Sequence, residues 1–157
     1  MSKAIELLTC RLHGQNLGIP VRHVREVITP TRCTPIPLAH EAIAGLINLR
    51  GHVITQLDMR QTLSLPARDA EKSFRIVIIE TDNGEDFGLT VDEVGEVMAP
   101  DAHIQEEMPH SLPECWRTVG SGVLKLEKHL LVVLDVERFI AHTLEMTDEQ
   151  AHAEAEA

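Results

Sequence analysis

Asp58 and Asp135 each close an alternating apolar run, "VITQLD" and "LLVVLD", and two carboxylates are the minimum equipment for acid–base chemistry. After each aspartate, however, the apolar period changes from two toward about 3.6, in "DMRQTLSL" and "DVERFIAHTL". An aspartate at such a junction can accept the free N–H groups of a helix's first turn. Both are therefore read as helix N-caps rather than as acid and base. The histidines invite a metal reading, but His13, His23, His40, His52, His103, His110, His129, His142 and His152 show no two- or four-residue pairing with a third ligand nearby. No zinc or iron site is expected from such spacing. Cys10, Cys33 and Cys115 are an odd number, widely spaced, which fits neither a disulfide framework nor a zinc knuckle. Cys33 reads as a small apolar residue as readily as a nucleophile, and no catalysis is assigned to it. "GSG" at Gly120 to Gly122 precedes a strand pattern instead of a helix, so it is not a phosphate loop. The expectation is no catalytic residue, no metal and no cofactor. Arg50, in "GLINLRGHVITQLD", is left over, because a plain strand needs no arginine there. A guanidinium fork holds carboxylates or carbonyls in fixed geometry and is enriched at interface hot spots. Recognition is preferred to an exposed ion pair of little worth.

The elements that carry these residues occur twice. Shifting the sequence by 70 places "LGIPVRHVREVI" over "FGLTVDEVGEVM", matching Gly18 with Gly88, Val24 with Val94, Glu26 with Glu96 and Val27 with Val97. A shift of 77 aligns "GLINLRGHVITQLDMRQTL" with "GVLKLEKHLLVVLDVERFI", matching Gly45 with Gly122 and Asp58 with Asp135. One seven-residue loop insertion reconciles the two shifts. Arg50 falls opposite Glu127, so the shared architecture does not by itself require an arginine. Each unit reads as strand, turn, strand, irregular Pro-containing loop, two strands and a short helix, with "HGQN" and "DNGED" as turns. Repeat 1 spans about residues 5–66 and repeat 2 about 74–140, giving one domain over 1–140 and an acidic Ala/Glu tail over 141–157, helical or frayed. Units of this size are barely stable alone and are expected to pack on each other. Short strands with few aromatics suggest small antiparallel barrels. Val27 and Val97 are expected to be buried in their respective barrels.

The chain of 157 residues carries a formal charge of −11, which argues against a nucleic-acid partner held by phosphate contacts. Its longest apolar run, "LLVVL", is far short of the roughly 20 residues of a membrane span, and the start shows no signal region. A cytoplasmic location without membrane insertion is expected. Charge is unevenly spread: residues 1–70 hold eight basic against five acidic residues, and residues 71–157 hold six against twenty.

The order of "LGIPVRHVREVI", a Pro-containing loop, "AIAGLINLRGHVITQLDMRQTL" and "GVLKLEKHLLVVLDVERFI" resembles the CheW-like family of chemotaxis coupling proteins, over about Ile5 to Ile140. The resemblance implies a mainly β fold of two packed, small, five-stranded SH3-like barrels with short helices. It also implies a non-enzymatic adaptor between the cytoplasmic tips of chemoreceptors and the regulatory domain of the histidine kinase CheA, in membrane-associated arrays. One departure is Thr55, where members of the family commonly carry a proline. Position-matching to the family makes Val24, Glu26, Gly45, Asn48, Leu49 and Arg50 the partner-binding residues, lining or bordering a groove between the barrels into which a receptor helical hairpin docks. Gly122 is read as a strand bulge; Gly45 is either a bulge or a point where a partner helix comes close. A monomer in isolation and ring-forming contacts in arrays are expected. The alternative is a small-molecule-binding or hydrolytic β-barrel using Asp58, Cys33 or histidines.

Overall fold

The structure is a computed structural model that describes residues 5–100 and 105–156, the last eight by their helical backbone. Residues 1–4 of the expected domain, and 101–104 in the longer loop, lie outside the described residues.

Among the described residues, twelve strands form two six-stranded sheets. The first repeat supplies β1 (Leu7–Leu12), β2 (Gln15–Pro20), β3 (Val24–Ile28), β4 (Cys33–Thr34), β5 (Ile43–Leu49), β6 (His52–Leu57) and helix α1 (Met59–Thr62). The second supplies β7 (Arg75–Glu80), β8 (Asp86–Val91), β9 (Glu93–Met98), β10 (Gln105–Glu106), α2 (Glu114–Val119), β11 (Gly120–Lys125), β12 (Leu130–Leu134) and α3 (Val136–Glu156). The fold is mainly β, as expected, but each sheet holds five longer strands plus a two-residue strand, β4 or β10, at one edge.

The repeats do not fold as separate sheets. One sheet runs β10-β11-β12-β2-β1-β9 and the other β3-β7-β8-β6-β5-β4. Each therefore combines two strands of one repeat with four of its twin. The exchange happens inside "LGIPVRHVREVI", which alternation alone presents as a single strand. Pro20 offers no ladder donor, and Val21–His23 form a 3-10 turn that carries the chain from one sheet to the other. In the second repeat the same change of sheet falls at Asp92, between β8 and β9. Parallel pairs β12·β2 and β6·β8 make one repeat junction in each sheet, while antiparallel pairs β1·β9 and β3·β7 make the other.

The core follows from this exchange. "RIVIIE" and "LLVVL" are apolar on both faces because both faces are covered. Ile76 and Ile78 pack inside one barrel with Ile47 and Ile54, and Leu131 and Val133 inside the other with Leu7 and Leu124. The alternate residues Val77, Ile79, Val132 and Leu134 face a larger shared core with Leu12, Leu17, Trp116 and Phe139. The extra loop residues of the second repeat were expected to be irregular. They include α2, which buries Trp116 and Val119.

Val27 and Val97 correct the expectation of burial: they are 38% and 55% exposed. Val24 and Val94 pack against the shared core, and a residue three positions along an alternating strand points the other way. Repeat equivalence identified matching positions, not inward ones. Helix α3 includes the stretch that was expected to be helical or frayed. It crosses positions 140–141 without a break, and Thr143 beyond that point is fully buried, its Oγ1 3.1 Å from that of Thr62.

Candidate functional site

Asp58 caps α1 by accepting from the N–H groups of Arg60 at 3.0 Å and Gln61 at 3.4 Å, and Asp135 caps α3 through the N–H of Arg138 at 3.0 Å. Both carboxylates are thus committed to helix starts. The thiols are poor nucleophiles: burial pushes Cys10 up to about 12, and burial also raises Cys33 and Cys115.

The "NLRG" segment is a turn. Arg50 (φ 50°) and Gly51 (φ 87°) are the two successive left-handed residues that a tight type I′ hairpin requires between β5 and β6. Asn48 braces it, its Oδ1 accepting from the N–H of Gly51 at 3.0 Å. A glycine is cheap at such a φ and an arginine is not, so local preference does not explain Arg50. Its side chain, 71% exposed, reaches across the barrel to Glu26 on β3, with Nη2 2.5 Å from Oε2. Glu26, Leu49 and Arg50 share a hollow of about 280 Å³ with Arg25, His52 and Asp86. Glu26 Oε1 is buried there without a hydrogen-bond partner among the described residues. At the pseudo-equivalent corner of the other sheet the matching residues are Glu96 and Glu127, two carboxylates that cannot pair with each other.

The remaining three positions lie apart from that hollow. Asn48 borders a shallow groove on the neighbouring surface with Thr31, Arg32, Leu46 and Val53. Val24 is half-buried against the shared core. Gly45 is buried at a register shift in β5, with φ +149°, and a Cβ built on it would lie 2.3 Å from the carbonyl oxygen of Thr34. Gly122 sits at the matching shift in β11, where a Cβ would meet the Glu106 carbonyl at 2.7 Å. Both glycines are bulges onto which the two-residue strands fold. The close approach at Gly45 is made by the chain's own β4.

Sequence spacing missed two clusters because the fold assembles them from distant residues. Asp92, at the change of sheet, accepts from Arg60 Nη2 at 2.6 Å, Arg68 Nε at 2.9 Å and the His13 N–H at 2.8 Å. Burial would raise its carboxyl, but these hydrogen bonds and the Arg60 charge outweigh burial and hold it below the usual aspartate value. The second cluster brings His23, Asp82 and Glu137 together with ligand atoms within 4.8 Å of one another. His103 and the side chain of His152 lie outside the described residues.

Strand exchange also redistributes charge. The stretch 21–91, which holds the β3–β8 sheet, carries eight basic and nine acidic residues; the remainder carries six and sixteen. The basic first half read from sequence becomes a nearly neutral unit beside a strongly acidic one. Among the described residues, no helix is long and apolar enough to cross a membrane.

A family model described as "CheW-like domain" matches residues 6–144. Probable chemotaxis protein CheW of Rhizobium etli is 25% identical over 138 residues, covering 88% of each chain. Chemotaxis protein CheW of Bacillus subtilis is 28% identical over 130 residues, covering 83% of each. The crystal structure of scaffolding protein TtCheW from Thermoanaerobacter tengcongensis matches with a TM-score of 0.76 and 27% identity, over 87% of each chain.

Proposed function

Because the chain belongs to the CheW-like domain family, we propose that it is a non-enzymatic chemotaxis adaptor, located in the cytoplasm, that couples receptor tips to the regulatory domain of CheA. The observation that carries this reading is the Glu26, Leu49 and Arg50 corner, an arginine held at the end of a rigid hairpin beside a small hollow, in one sheet and not in its twin. The tight turn fixes the Arg50 backbone and the ion pair with Glu26 biases its side chain, which lowers the entropy a partner must remove on binding. Arg50 presents donors at the edge of this hollow, and Leu49 gives it an apolar wall. An amphipathic receptor helix docked there would gain energy from apolar contact and register from the guanidinium. Val24 and Gly45 support the reading from beneath: one anchors β3 to the core, and the other lets β4 fold against β5.

Titration calorimetry against a receptor cytoplasmic fragment, beside a thermal-shift screen of metabolites, tests it. The adaptor reading expects a receptor response and no metabolite response. Tight binding of a metabolite with no receptor response would favour a ligand-binding barrel and overturn it.

A further inference from the structure

We propose that His23, Asp82 and Glu137 form a site for a divalent transition-metal ion, zinc foremost, lying outside the partner-binding corner. His23 belongs to the 3-10 turn that carries the chain between sheets and is 3% exposed. Its Nδ1 lies 2.9 Å from the carbonyl oxygen of Glu80. A carbonyl only accepts, so Nδ1 is the donor of this bond, and in the neutral tautomer that this bond selects, the lone pair sits on Nε2. Metal-binding histidines are oriented in this way, with the second nitrogen donating to a backbone carbonyl. Two carboxylates converge on the same place from other elements, Asp82 from the β7–β8 turn and Glu137 from the first turn of α3, and one ligand atom from each of the three residues lies within 4.8 Å of the other two. Glu137 is already held, its Oε1 accepting from the Asp82 N–H at 2.7 Å. Asp82 is exposed, and its ion pair to Arg22, at 3.6 Å, is long and solvated. Bonds of about 2.0–2.2 Å in a tetrahedral site put ligand atoms about 3.4 Å apart, a closure that rotation of this side chain supplies. One imidazole nitrogen, two carboxylates and a water suit zinc better than magnesium, which favours all-oxygen octahedra. A bound ion would fasten the crossover turn, the β7–β8 turn and α3 to one another.

The test is calorimetric titration of chelator-treated full-length chain with zinc chloride and, separately, magnesium chloride, together with melting temperatures. His23 is buried and its replacement risks misfolding, so the variants are Asp82→Asn and Glu137→Gln, with Cys33→Ser and His129→Ala as controls. One equivalent of zinc is expected, with a raised melting temperature and no magnesium response. Affinity should fall at least tenfold in both carboxylate variants and stay unchanged in both controls. Absence of zinc binding in the wild type, or its retention in either carboxylate variant, would overturn the site.

Discussion

The Arg50 guanidinium lies 2.5 Å from the Glu26 carboxylate and ties the tip of the β5–β6 hairpin to β3. Arg50 is mostly solvent-exposed, so the pair contributes at most about 1 kcal/mol to stability. Its larger effect is expected in binding. Arg50→Ala should leave the urea midpoint almost unchanged and weaken receptor-fragment affinity by about 1–3 kcal/mol, roughly 5- to 150-fold. Parallel denaturation and calorimetry on the one variant check both halves.

Gly45 should behave in the opposite way. Any Cβ there meets Thr34, and the φ of +149° strains other residues, so Gly45→Asp is expected to cost about 2 kcal/mol or more of stability. Loss of binding in that variant would then follow from displacement of β4. Chemical denaturation should show a lowered midpoint; an unchanged one would mean that the bulge tolerates a side chain.

Asp92 makes stability pH-dependent. Its carboxyl titrates lower in the folded chain than in the unfolded one, so the folded state binds fewer protons in the acid range and stability rises with pH there. That increment is fully present above the unfolded value of about 3.9 and is lost as pH falls through the lower folded one. Asp92→Asn should remove it and cost about 2–4 kcal/mol at neutral pH, because Arg60 and Arg68, with side chains 11% and 13% exposed, lose their counter-charge. Urea unfolding of both proteins from pH 7 down to about pH 2 should give curves that run parallel above about pH 4 and converge below it; curves that stay parallel to the acid end would contradict the assignment.

Much of the fold was legible because alternation and turn chemistry are local. The hairpin turn at His13–Gly14, the aspartate caps and the Gly122 bulge follow from residue types in short windows. The exchange of strands was not legible. Nothing in "LGIPVRHVREVI" states that β2 and β3 join different sheets, and the large core between the sheets decides that pairing. The site divided in the same way. Asn48, Leu49, Arg50 and Gly51 act within one hairpin, whereas the Arg60–Asp92 pair and the His23, Asp82 and Glu137 cluster join residues that only the tertiary fold brings together.

The exposed and buried valines give a direct check of that core. Val27→Ala and Val97→Ala should each cost less than about 1 kcal/mol, whereas Ile76→Ala, at a fully buried position, should cost about 2–4 kcal/mol through lost burial and the cavity left behind. Equal costs measured by urea unfolding would contradict the assignment of faces.

The adaptor reading is tested most directly by sedimentation velocity of a receptor cytoplasmic fragment and the CheA regulatory domain, mixed with and without this chain at physiological salt. A faster-sedimenting complex of all three components is expected only when the chain is present, and Arg50→Ala should deplete its receptor component while the chain stays with the kinase domain. If receptor fragment and kinase domain sediment unchanged and the chain sediments alone, the coupling role is contradicted.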